Sequence, residues 1–169
     1  QKLKGLGNNN PICFDLNFDR LRLQYVRARP DLILFSSMYH GGLMQGHWAY
    51  SCRAHFVAAV AGQPSAILSP VGHQLATSTN YYDFVTTVVN LDCAVVHLDF
   101  NWEKLQAMRA KYGPGVTVFD PGHLGAVLIT SETDGVSVDD LIDEFEIERL
   151  DDYWARSLAA QSRNRAPGS

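Results

Sequence analysis

Residues 31–36, Asp-Leu-Ile-Leu-Phe-Ser, follow Pro30 as a continuous apolar run. Proline ends whatever helix precedes it, and a run apolar on both sides reads as a strand buried within a layered structure. Helical patterns flank it, Asp19–Val26 before and Leu43–Ala61 after. Leu21, Leu23, Tyr25 and Val26 cannot share one narrow stripe, so the first helix is expected to be well covered. Upstream, Pro11–Phe18 reads as the end of a short strand turning into that helix. Downstream come strand candidates at Ser65–Ser69, Gln74–Ser78 and Phe84–Asp92, the first two joined by a Pro-Val-Gly-His turn. A βαβα order followed by a hairpin predicts an α/β sandwich with helices on the sheet faces.

The pattern changes near residue 100. Asn101 is placed to cap a helix over Trp102–Tyr112, stopped by Gly113-Pro114-Gly115. Val116–Phe119 and Ala126–Thr130 read as short strands. Ser137 is placed to cap Val138–Phe145, with acids in the first turn where the helix dipole favours them. A last helix is expected over Leu150–Ala160. The boundaries drawn are 1–100 for the main domain, 101–162 for a C-terminal extension and 163–169 for a disordered tail. The Gly/Asn-rich opening, Gln1–Asn10, is expected to be flexible.

Bulk properties remove several function classes. The net charge is −4 and no basic cluster exists, which argues against nucleic acid as a partner. No apolar run approaches the ~20 residues needed to span a bilayer, and the opening residues lack the apolar core of a signal peptide. Three cysteines at unpaired spacings do not make a disulfide framework, so a reducing cytoplasm is the expected location.

Cys13 is the leading candidate for chemistry. A thiol at a strand-to-helix turn sits where backbone N–H groups and a helix dipole favour negative charge, conditions that lower a thiol pKa and hold an oxyanion. The ordinary alternative is a buried structural cysteine. A Cys13–His40 dyad is the weaker catalytic option. The six histidines contain no i, i+4 pair; His47 and His55 read as two helical turns apart on a similar face, and no metal site is expected. The acidic run Asp139–Asp152 lacks calcium-loop spacing and reads as solvated helix faces. Cys52 and Cys93 are expected in the core, and Arg53 in a structural role.

Ile12-Cys13-Phe14-Asp15-Leu16-Asn17-Phe18 resembles the nucleophile motif of the carbon–nitrogen hydrolases, the nitrilase superfamily. Pro30–Ser37 resembles the family's next strand and its small-residue loop. Gly46-His47-Trp48 to Cys52-Arg53-Ala54 resembles the following helix. Gly62–Ala76 resembles the hairpin with the Ser-x-Ile-x-x-Pro-x-Gly pattern. The four pieces occur in order and cover residues 11 to about 100.

The resemblance implies part of an α-β-β-α sandwich with a mixed sheet, and a C-terminal helical extension that reaches across a subunit interface in a homo-oligomer. It implies Cys13 as nucleophile, the Phe14 N–H as oxyanion donor, and Ser37, Tyr39 and His40 bordering a small-molecule amide or nitrile. No cofactor and no metal are implied. The family's Glu and Lys come from segments upstream of the cysteine, and Gln1–Asn10 supplies no glutamate. The chain therefore reads as the C-terminal part of such a domain, with little or no turnover expected from it alone. The Glu that follows the family's Arg-Ala pair is also absent, since Arg53-Ala54 is followed by His55. A non-catalytic oligomerising remnant is the alternative, and an unrelated α/β binding domain a third.

Overall fold

The computed structural model describes residues 10–164, which form two compact units meeting in sequence between Leu91 and Asp92. Each is mixed α/β. The expected flexible opening lies outside the described residues apart from Asn10, as does the expected tail apart from Arg163 and Asn164, which are helical.

In the first unit, helices α1 (Asp19–Ala28) and α2 (Leu43–Cys52) accompany strands β1 (Leu32–Ser37), β2 (His55–Val60), β3 (Ala66–Leu68) and β4 (Gln74–Thr77). The sheet order is β1-β2-β3-β4. β1 and β2 are parallel, with Ile33 opposite Phe56 and Phe35 opposite Ala58. The pairs β2–β3 and β3–β4 are antiparallel, so the sheet is mixed. Ile12 makes a parallel bridge to Ser36 on the side of β1 away from β2. Ile33, Phe35, Phe56 and Ala58 join Leu16, Tyr25 and Trp48 in the core.

Three expectations for this unit change. Helix does not continue to Ala61. Arg53 adopts a left-handed conformation, φ 54°, which ends α2, and His55–Val60 extends beside β1. β1 is buried on one face only: Ile33 and Phe35 are covered, while Leu34 is 44% exposed. Coverage of α1 is also partial, since Tyr25 is buried but Leu23 is exposed.

The second unit holds β5 (Cys93–His97), α3 (Trp102–Tyr112), β6 (Val116–Phe119), β7 (Ala126–Ser131), α4 (Val138–Glu144) and α5 (Leu150–Asn164). Its sheet is antiparallel in the order β5-β7-β6. Val96, Met108, Val127, Ile129 and Leu141 form its core. This region has a sheet and core of its own, and it begins at Asp92, ahead of the boundary expected at residue 100. The strand expected over 84–92 is absent: Val88 is 96% exposed, and the paired strand begins at Cys93.

Asn101 does not cap α3 through its side chain. It is fully buried, donates to the carbonyls of His97 (2.7 Å) and Glu148 (3.0 Å), and accepts from Glu148 N–H (3.1 Å). A buried amide able to satisfy three backbone groups outweighs one exposed cap bond. Ser137 does cap α4, with Asp140 bonding back to its N–H at 2.8 Å.

Candidate functional site

The backbone turns sharply at Cys13. Ile12 is extended, with φ −130° and ψ 132°, and Cys13 swings to φ 54° as the first residue of a 3₁₀ turn, Cys13–Asn17. Left-handed backbone at a residue bearing a Cβ costs about 1–2 kcal/mol, so neighbouring contacts must hold it. Several do. Asp15 N–H donates to Ile12 O at 3.1 Å, and the Asp15 carboxylate accepts the Ile12 N–H at 2.9 Å. The buried Trp48 indole donates to Leu16 O at 2.9 Å. Gly41 closes the loop after β1 over the turn: a Cβ there would stand 2.8 Å from Leu16 Cδ1.

The Cys13 thiol is half-buried. The helix begins at Asp19 as expected, but a five-residue 3₁₀ turn, Cys13–Asn17, stands between it and the cysteine corner. A long helix dipole therefore does not act at Cys13. What the corner offers is the amides of Cys13 and Phe14, which precede the first bond of the turn.

The expected site residues gather only in part. The Phe14 ring stacks on Tyr39, with centroids 4.7 Å apart and planes inclined by 18°. The Tyr39 hydroxyl donates to Asn17 Oδ1 at 3.3 Å, and Tyr39 N–H donates to Ser37 Oγ at 2.7 Å. Phe14, Ser37 and Tyr39 thus form one cluster at the end of β1. His40 turns inward on its own loop: its Nδ1 accepts Gly42 N–H at 3.1 Å, and its carbonyl accepts from Gln45. Among the described residues no hydrogen bond joins His40 to Cys13, so the dyad geometry is not formed. Asp15, Asn17 and Trp48 hold this corner; they lie in the segments that carry the family resemblance, which gave them no role. The signals were present: a carboxylate three residues past an N-cap position, and a tryptophan on the face of α2 that packs inward.

The other candidates separate cleanly. Cys52 ends α2, 3% exposed, and burial pushes its pKa up to about 12, so it is inert. Cys93 is half-buried at the start of β5, not in the core. His47 lies on α2 but His55 lies on β2, so they share no helix face. The Arg53 guanidinium sits 4.5 Å over the Tyr50 ring and donates to the Tyr50 carbonyl. Among the described residues no three His, Cys, Asp or Glu side chains form a metal-binding group, and no helix is long and apolar enough to cross a membrane. An acidic groove in the second unit is lined by Asp92, Glu132, Asp134 and Asp140. Two of these serve α4: Asp92 Oδ1 accepts Val138 N–H at 3.0 Å, and Asp140 completes the Ser137 cap.

No protein-family model and no curated protein matches this chain.

Proposed function

We propose that this chain carries the nucleophilic cysteine of a carbon–nitrogen hydrolase of the nitrilase kind, acting on a small amide or nitrile within part of an α-β-β-α sandwich. The supporting observation is Cys13 at φ 54°, opening a tight 3₁₀ turn directly after an extended residue, Ile12, that bridges to Ser36. A thiol on such a corner projects beside outward-facing amides, the arrangement an acyl-transfer nucleophile uses. In this reading the Cys13 thiolate attacks the amide carbon. The C–N bond breaks and ammonia or an amine leaves with a proton, forming a thioester. Water then cleaves the C–S bond and returns the thiol. The Phe14 N–H supports the oxyanion, and Ser37, Tyr39 and His40 border the substrate.

Residues 10–91 contain neither glutamate nor lysine. General acid–base catalysis contributes about 10²–10⁴-fold and an oxyanion donor about 10²–10³-fold, so this reading expects slow turnover where neither a glutamate nor a lysine stands in the unit that holds Cys13. Acylation of Cys13 by an ester with a good leaving group needs less help than deacylation. The expected outcome with p-nitrophenyl acetate is one acetyl group on Cys13, found by peptide mass mapping, that persists for many minutes. Absence of an adduct on Cys13 overturns the nucleophile assignment. Rapid release of ammonia from unactivated amides, abolished by Cys13→Ala, overturns the slow-turnover part.

A second reading, a non-catalytic oligomerising remnant, draws on the exposure of Leu34 and Ala59 on the sheet face away from the core. It expects a dimer whose Cys13 stays unacylated.

A further inference from the structure

We propose that Asp15 is a positioning residue that holds Cys13 in its left-handed conformation; this rests on the nucleophile reading above. Two hydrogen bonds link Asp15 and Ile12 in opposite directions. The Asp15 N–H donates to the Ile12 carbonyl at 3.1 Å, and the Asp15 carboxylate accepts the Ile12 N–H at 2.9 Å. The ring they close contains Cys13 and Phe14. A ring closed this way restricts the dihedrals between its ends, and here it encloses Cys13 at φ 54°. Ile12 is fixed in turn by its bridge to Ser36, and Leu16 by the Trp48 indole. Asp15 is the ionisable link between these two anchors. Its carboxylate is engaged with the main chain, which makes it a clamp and not the missing general base.

The geometry separates two roles that an acid so near a thiol could have. As a clamp, Asp15 keeps the corner populated, and an amide of the same shape replaces it. As a charge, it repels the thiolate, and losing the charge speeds thiol chemistry. Asp15→Asn and Asp15→Ala in the full chain distinguish them. With iodoacetamide near neutral pH, Asp15→Asn is expected to keep the Cys13 alkylation rate within about threefold, while Asp15→Ala lowers it about tenfold as the corner relaxes to unstrained backbone. Rates at Cys52 and Cys93 in the same samples report whether the fold is intact. Equal rates for Asn and Ala, or faster rates in both, overturn the clamp.

A second readout is independent of thiol chemistry. Exchange of the Ile12 amide hydrogen is expected to be slow in wild type and Asp15→Asn and at least tenfold faster in Asp15→Ala. Unchanged exchange in Asp15→Ala overturns the clamp. If wild-type Cys13 proves no more reactive than Cys93, the nucleophile reading fails, and the Ile12 amide still decides the role of Asp15.

Discussion

His55 makes the stability of the first unit fall with acid. The side chain is 3% exposed, its Nδ1 meets no hydrogen-bond partner among the described residues, and burial pushes its pKa down to about 4. An unfolded chain protonates histidine near 6.5, so the folded state binds fewer protons between those values. Stability is therefore complete above about pH 6.5 and declines as pH falls, levelling off near 4. The drop from the ordinary histidine value near 6.5 to about 4 corresponds to a loss of about 3 kcal/mol, of which about 1.4 kcal/mol is gone by pH 5.5. That is a large share of the ~5–15 kcal/mol that keeps a domain folded. His55→Leu removes the titration at similar volume. Urea unfolding of both proteins from pH 7.5 to 4 cancels the carboxylates common to both. The difference between them is expected to shift by about 3 kcal/mol in favour of leucine as pH falls, with a slope no steeper than about 1.4 kcal/mol per pH unit. A difference that is flat with pH, or that shifts toward histidine in acid, refutes the assignment of His55 as a buried neutral group.

Other expectations follow from the same geometry. Cys13→Gly is expected to be more stable than Cys13→Ala by about 1 kcal/mol, because only glycine accepts φ 54° without strain; equal stabilities in thermal unfolding count against the corner. Asn101→Ala is expected to destabilise the second unit by about 3 kcal/mol, since it strands three backbone groups, whereas loss of a simple N-cap costs about 1 kcal/mol. Chemical denaturation distinguishes the two.

Much of the second unit was legible because its signals are local. Trp102–Tyr112 ends at Gly113-Pro114, and Val116–Phe119 is short, β-branched and bounded by glycine and proline. The errors came where the stop signal is conformational. Nothing in Ser51–Val60 resembles a breaker, because the residue that ends α2 is Arg53, a left-handed arginine that no propensity anticipates. Val85–Val89 has strand composition but no partner to pair with, and composition alone cannot supply one. At the candidate site, the placement of Cys13 after a strand residue was readable. Its positive φ was not, because strain at a non-glycine residue depends on tertiary contacts such as Trp48 to Leu16, whereas the Asp15–Ile12 pairing is local, at the spacing of a capping box.

Competitive labelling of the three thiols in the native chain tests the central claim most directly. With sub-stoichiometric iodoacetamide at pH 7 and mass mapping of each cysteine, Cys13 is expected to take most of the label, Cys93 less, and Cys52 essentially none until the first unit unfolds. Labelling of Cys13 as slow as that of Cys52 contradicts a presented, nucleophilic thiol at this corner.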